Sequence, residues 1–332
     1  MRLIVSIEQR FGVALAVSAL AANPTAGTLA LLLDGCAGLP ADPLVLLRAG
    51  SGTPLFLVHP IGGNVLCYVE LSKHLPEGQT LYGLQAAGLE PGSTPAETIP
   101  EMARDYVAAI QRVQPNGPYH LGGWSLGGMV AFEMAQQLTD AGHEVGMLAM
   151  IDAMTIEPGD SRLASERELY RFFLWELLLP ARHTDTTMIE IPEQSVGDDE
   201  ILDFILAATI EAGVLPATGS RELVRRLFGV FMGCSRGIDS YQPRRYPGDL
   251  TLLRCIEPLP PVLRPVHDRV RALYHDATNG WAAYAGGNLE VIDVPGDHLT
   301  VVESPQASEV AIQLTRLLDR AGTKVAVRQG IS

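Results

Sequence analysis

Tyr119-His120-Leu121-Gly122-Gly123-Trp124-Ser125-Leu126-Gly127-Gly128-Met129 is the stretch on which the fold turns. Tyr119 to Leu121 is a short apolar run that reads as a strand, and Met129 to Leu138 leaves the glycines with apolar residues at helical spacing. A serine caught in a sharp strand-to-helix turn is held in strained backbone geometry, and small neighbours make room for it. Its hydroxyl then projects above the sheet, with a helix N-terminus behind it that favours developing negative charge. The same glycines would also suit a plain turn whose serine only caps the helix. The strand before and the helix after favour a nucleophile.

Outward from this turn the chain alternates. Leu44 to Leu47 and Leu55 to Val58 are short apolar runs bracketed by Pro43, Gly50, Gly52 and Pro54, and Thr80 to Leu84 and Met147 to Ile151 repeat the theme. Between them lie helical patterns at Val65 to Leu75, Ile99 to Val113 and Met129 to Ala141. In the second, Ile99, Met102, Ala103, Tyr106, Ile110 and Val113 hold one face. Strands alternating with helices of this length predict an α/β fold, a mostly parallel sheet covered on both faces. Ligands of such sheets gather at the carboxyl ends of the strands.

Composition narrows the partners. The 332 residues carry a net charge of −14, which argues against a phosphate-binding surface for nucleic acid and against docking on an anionic membrane. No run reaches the roughly 18 apolar residues of a membrane span. Cys36, Cys67, Cys234 and Cys255 lie far apart without a Cys-x-x-Cys pair, so reduced thiols in a cytoplasmic protein are expected. Neither a His-Glu-x-x-His motif nor a phosphate-cradling Gly-rich Lys motif occurs, so no metal or redox cofactor is expected. Met1-Arg2 followed by the apolar run Phe11 to Ala22 has the outline of a secretory signal. Glu8, Gln9 and Arg10 interrupt it, and two short helices broken at Asn23-Pro24-Thr25 fit the spacing better.

A serine hydroxyl is a poor nucleophile until a base removes its proton, so a histidine and an orienting carboxylate must accompany Ser125. In this architecture they follow in the order serine, acid, histidine. His298 lies in Val294-Pro295-Gly296-Asp297-His298-Leu299, between the strand Leu289 to Val294 and the final helix near Glu309 to Ala321; it has the late, post-strand position that the role requires. Two acids compete: Asp152, directly after Met147 to Ile151, and Glu257, after the strand Leu250 to Ile256. The turn His59-Pro60-Ile61-Gly62-Gly63-Asn64 follows an early strand and suits an oxyanion hole. One donor would be the N–H of Leu126, and the other that of Ile61, since Pro60 has none.

Together Leu57-Val58-His59-Pro60-Ile61-Gly62-Gly63, Tyr119 to Gly128, Ile151-Asp152 and Pro295-Gly296-Asp297-His298 resemble the type I thioesterase domains that end nonribosomal peptide and polyketide synthetases. The resemblance covers Leu44 to about Ala321. It implies an α/β-hydrolase fold with Ser125 as nucleophile, His298 as base, Asp152 as orienting acid, and Ile61 and Leu126 at the oxyanion positions. It implies also that the substrate is an acyl or peptidyl thioester delivered on the phosphopantetheine of a carrier protein domain, with no cofactor bound by the domain itself.

Residues 1–37 resemble something else, the second half of a carrier domain, through Ile7-Glu8-Gln9-Arg10-Phe11-Gly12-Val13 and Asn23-Pro24-Thr25. Such domains carry phosphopantetheine on the serine of an Asp-Ser-Leu motif; neither Ser6 nor Ser18 is in that context, so no carrier site is assigned. The expectation is a C-terminal piece of a longer synthetase, or a gene begun too late, with 38–54 as linker and first core strand, 55–322 as the thioesterase domain and 323–332 as a tail. From Ala153 to Pro247 the chain is far longer than a crossover needs. It carries helical patterns at Leu163 to Leu179, Asp199 to Ala212 and Arg221 to Tyr241, and the resemblance makes this insertion (153–247) a mobile lid. Phe172-Phe173-Leu174-Trp175 and Leu177-Leu178-Leu179 could line a channel, contact a carrier or pack on the sheet. Three other functions share parts of this pattern: a stand-alone editing thioesterase, a general serine esterase, and a non-catalytic hydrolase-like binding module.

Overall fold

Each short apolar run becomes a strand: β1 (Leu44–Arg48), β2 (Leu55–Val58), β3 (Leu81–Leu84), β4 (Tyr119–Trp124), β5 (Val145–Ile151), β6 (Leu250–Cys255) and β7 (Leu289–Val294). The computed structural model describes residues 42–90, 92–155, 166–178, 197–217, 221–259 and 277–328, with Leu3, Ser6, Ile7, Arg10, Ala26, Leu29 and Ala30, all helical. Among these residues the strands form one sheet in the order β1-β3-β2-β4-β5-β6-β7. β1 is antiparallel to β3, and every other neighbouring pair is parallel. The chain runs from β2 out to β3 and returns to the other side of β2 as β4. The strand order therefore reverses between β2 and β4, where crevices of open α/β sheets form.

Helices α1 (Tyr68–His74), α2 (Ile99–Val113), α3 (Leu126–Asp140), α4 (Glu166–Leu178), α5 (Asp198–Glu211), α6 (Arg221–Ser240) and α7 (Gln306–Arg328) cover both faces. One face buries Tyr68, Leu71, Val310 and Leu314 of α1 and α7 against Leu55, Leu57, Ala149 and Leu253. The other buries α2, α3 and the insertion helices against Phe56, Val58, Leu121, Leu148 and Leu252. Alternate residues of β2 thus serve opposite cores, as a doubly covered strand requires. Helix α2 starts where its sequence signals it should: Thr98 accepts the Glu101 N–H (3.3 Å) and its hydroxyl donates to the Glu101 carboxylate (2.8 Å).

Among the boundaries that differ from the sequence expectation, three turn on glycine or on the chain's end. Strand β4 continues past Leu121 through Gly122, Gly123 and Trp124, because those residues pair with Ala149, Met150 and Ile151 of β5; the ladder overrides glycine's low strand propensity. Helix α3 begins at Leu126, not Met129, taking the two glycines into its first turn. Helix α7 runs on to Arg328, through the segment expected to be a tail. Gly322, just past the expected helix end at Ala321, lies inside it, and a Cβ there would meet nothing within 4 Å; one exposed glycine costs a helix only about 1 kcal/mol. Cys36, His183 and Leu179 lie outside the described residues. Among the described residues, no helix is long and apolar enough to cross a membrane.

His120 points from β4 into the α1/α7 side of the sheet at 5% exposure. Among the described residues neither of its ring nitrogens has a hydrogen-bond partner, and burial pulls its pKa down to about 4. Since the unfolded imidazole titrates near 6.5, the unfolded chain takes up this proton first. Stability is therefore fully present above that pH and declines as pH falls towards 4, by about 3 kcal/mol in all for one proton. Urea midpoints should drop between pH 7.5 and pH 4.5 by clearly less in His120→Leu than in the wild type; equal drops would show that this histidine is not the group responsible.

Candidate active site

Ser125 sits between β4 and α3 with φ 58° and ψ −124°, a conformation that costs an L-residue energy. The turn is held there by backbone bonds: Ser125 N–H donates to Ile151 O (2.9 Å), and Gly128 N–H donates to Ser125 O (3.0 Å). Only glycine fits the surrounding contacts. A Cβ on Gly127 would lie 2.2 Å from Val58 O, one on Gly123 2.3 Å from the Gly127 carbonyl carbon, and one on Gly128 2.5 Å from the Ala153 Cβ. The helix start is thereby pressed against the ends of β2 and β5.

Asp152 follows β5 directly, with φ 44° and only 2% exposure. A buried carboxylate is costly without donors. Its Oδ1 accepts the Cys255 N–H at 3.0 Å, and its Oδ2 lies 2.8 Å from His298 Nδ1. An ionised carboxylate only accepts, so Nδ1 carries the proton and Nε2 is left as an acceptor. His298 Nε2 lies 3.0 Å from Ser125 Oγ and faces its hydroxyl. Carboxylate, imidazole and hydroxyl thus form one continuous relay across residues that are far apart in the chain.

The loop bearing His298 is gripped from both sides. The Trp124 indole N–H donates to the His298 carbonyl at 2.8 Å, and the two rings lie 5.8 Å apart between centroids. Glu257, the competing acid, spends its carboxylate on the backbone: Oε1 accepts the Gly296 N–H (3.0 Å), and its own N–H donates to Gly296 O (3.1 Å). Glu257 holds the loop, while Asp152 faces the imidazole.

The turn after β2 lies across from the serine. Gly63 N–H closes it on Pro60 O (2.9 Å), with Gly63 at φ +79°. His59 is fully buried. It holds Pro60 O through Nδ1 (2.6 Å), and its Nε2 accepts the Tyr106 hydroxyl of α2 (2.7 Å). Burial lowers its pKa to about 4, against the opposing pull of the Pro60 carbonyl, so it braces the turn as a neutral ring. The Ile61 N–H meets no acceptor among the described residues. The Leu126 N–H, first in α3, has none by its position in the helix. Both insertion contacts land here: a Cβ on Gly62 would meet Glu176 of α4 at 2.3 Å, and one on Gly63 would meet Val230 of α6 at 2.5 Å.

On α4, Phe173, Leu174 and Leu178 are buried in the core cluster, with Phe172 and Leu177 half-buried against it. Packing within that cluster, including Phe173 against Phe228 and Phe231 of α6 at 5.1 and 5.6 Å between ring centroids, accounts for much of that apolar run. Among the described residues no group of His, Cys, Asp and Glu side chains is arranged to hold a metal ion. The supporting residues Tyr106, Trp124 and Glu257 escape sequence reading in these roles, because each bonds to a group contributed by a distant segment. Only the aromatic positions flanking the motifs hint at them.

A family model described as a thioesterase domain matches residues 53–318. A dimodular nonribosomal peptide synthase of Bacillus subtilis (strain 168) is 30% identical over 308 residues, 92% of this chain and 12% of that protein. The chain thus spans a small part of this relative's length. Among solved structures, a holo four-domain nonribosomal peptide synthetase bound to AMP and glycine superposes with a TM-score of 0.74 at 27% identity, over 95% of this chain and 23% of that one. The NocB thioesterase domain, in covalent complex with a fluorophosphonate nocardicin G analog, superposes with a TM-score of 0.52 at 27% identity, over 81% of this chain and 96% of that one. A family match that takes in strands β2 to β7 and every turn described above leaves one assignment: the chain belongs to the thioesterase domain family, with the α/β-hydrolase fold of the thioesterases of nonribosomal peptide synthetases.

Proposed function

We propose that this chain releases a finished acyl or peptidyl chain from carrier-bound phosphopantetheine, using Ser125 as a covalent nucleophile. The observation that carries the reading is the unbroken Asp152–His298–Ser125 relay, at 2.8 and 3.0 Å. Ser125 Oγ attacks the thioester carbon while its proton passes to His298 Nε2, and Asp152 stabilises the imidazolium formed. The carbonyl oxygen becomes an oxyanion held by the N–H groups of Ile61 and Leu126. Collapse breaks the carbon–sulfur bond, and the imidazolium returns its proton to the departing pantetheine thiol. A water, or an amine or hydroxyl of the bound chain, then loses its proton to His298 and attacks the acyl-serine; collapse breaks the acyl–Oγ bond, and the imidazolium returns the proton to Ser125. The product is a free acid in the first case and a ring in the second.

The carrier that delivers the chain is the expected partner. The likeness to the four-domain synthetase covers 95% of this chain, more than the residues 53–318 of the thioesterase model, which supports a carrier remnant in residues 1–37. The contacts of Glu176 and Val230 with the oxyanion turn support the insertion as a lid over the site. The unbridged thiols of Cys67 and Cys234 suit a reducing, cytoplasmic setting.

Ser125→Ala should lower turnover of a pantetheinyl thioester by about 10⁴-fold or more with the melting temperature preserved; undiminished turnover refutes the nucleophile. Wild type, but not that variant, should be labelled by a fluorophosphonate probe, an outcome that a non-catalytic binding module would not give. Wild type should also prefer the pantetheinyl thioester over a short p-nitrophenyl ester by kcat/KM, and the reverse preference would mark a general esterase.

The two acids can be told apart by amide replacement. Asp152→Asn should cost about 10³- to 10⁴-fold in kcat, because the imidazole tautomer is no longer held. Glu257→Gln keeps an oxygen for the Gly296 N–H, so its kcat should stay within about tenfold. If Glu257→Gln were the more damaging change, the acid would have to be reassigned.

A further inference from the structure

β2 and β4 run parallel with Val58 opposite Gly123. The His59 N–H turns the other way, to Leu84 O of β3 at 3.0 Å, so by strand alternation the Val58 carbonyl faces β4. In this register the next rung of the ladder would run from the Trp124 N–H to that carbonyl. A phenol bonds to the same two groups. The Tyr68 hydroxyl, from α1, donates to Val58 O at 2.6 Å and accepts the Trp124 N–H at 2.8 Å. Two bonds meeting at one oxygen tie the two strand ends to each other and to α1.

This is the point where the strand order reverses, and each arm carries one half of the site. Val58 ends the strand that leads to Ile61, and Trp124 ends the strand that leads to Ser125 and Leu126. Val58 and Tyr68 are fully buried and Trp124 is 4% exposed, so water does not replace the bonds. Burial also raises the Tyr68 hydroxyl pKa well above its ordinary value, and the group stays a donor across the working range. Gly127 crowds the same carbonyl from above, which leaves the Val58 end wedged between the phenol and the first turn of α3.

We propose that Tyr68 is a positioning residue whose hydroxyl, bonded to the ends of both β2 and β4, fixes the spacing of the two oxyanion donors. The proposal rests on the reading of Ser125, Ile61 and Leu126 given above. Without the hydroxyl both bonds are lost and the strand ends are free to shift against each other, so the donors leave the geometry that the tetrahedral intermediate needs.

Tyr68→Phe and wild type are compared on a short acyl pantetheinyl thioester. In the variant kcat should fall about 30-fold or more while KM stays within roughly twofold. Affinity for an alkyl boronic acid, which forms a tetrahedral adduct on Ser125, should fall by a similar factor. Affinity for the product carboxylic acid and the pH midpoint of kcat/KM should not move, since the imidazole and its carboxylate are untouched. A natively folded variant with kcat within about threefold of wild type overturns the proposal. So does a loss in which product affinity or the pH midpoint shifts together with kcat, because that marks a general collapse. Replacing Trp124 by its α-hydroxy acid analogue removes the same bond from the β4 side and keeps both side chains. It should reproduce the pattern even if Tyr68→Phe does not fold, and unchanged kinetics there also overturn the proposal. Failure of the underlying reading shows separately, as turnover that survives in Ser125→Ala.

Discussion

The first turn of α3 lies almost in contact with the ends of β2 and β5, and that crowding is what the rest of the site is built upon. Gly127 touches the Val58 carbonyl, Gly128 touches Ala153, and Gly123 touches Gly127 from below. No side chain larger than hydrogen fits any of these places without moving backbone. The close approach brings three otherwise separate strand ends to one spot. It also sets the positive end of α3 beside the Ser125 hydroxyl, and it forces Ser125 into its unusual dihedral angles, which bonds to Ile151 and Gly128 then hold. The energetic cost of the turn is borne by the sheet around it.

Burying Asp152 beside this turn would be unfavourable if the carboxylate were bare. It is offset by donors on both oxygens, the Cys255 amide and the His298 ring, and the second of these fixes which nitrogen of His298 faces the serine. The imidazole is placed by its loop rather than by the relay alone. The Trp124 indole holds the His298 carbonyl, and Glu257 pins Gly296 at the loop's start. Such anchoring settles the orientation of the base before substrate arrives, which is where much of the advantage of an enzyme over a free imidazole comes from. The oxyanion side is arranged on the same plan, with His59 and Tyr106 bracing one arm and the helix start supplying the other.

Much of this was legible in the chain. The strands β2 and β7 and the helix α2 have the bounds that periodicity gave them, because each is a local pattern ended by a local breaker. Ser125 and His298 could be picked out by position within a strand-to-helix turn and a post-strand loop. The choice between Asp152 and Glu257 could not be made on residues alone: both follow apolar strands, and only the resemblance to a family weighted it. The weak points were places where glycine means two things. Gly122 and Gly123 read as the end of a strand that in fact continues, and the final helix, expected to end near Ala321, passes on through Gly322.

Sequence by itself determined the alternation of strand and helix, the strand-to-helix turn that carries Ser125 and the residue types that could serve it, since those depend on spacing within a few positions and on what glycine and proline permit. Tertiary structure decided which acid faces the imidazole, what Glu257 does instead, and that a tyrosine from the first helix ties the ends of β2 and β4 together. These are contacts between segments far apart along the chain, and their partners are mostly backbone N–H and C=O groups. Every residue carries such groups, so no residue type marks them until the chain has folded.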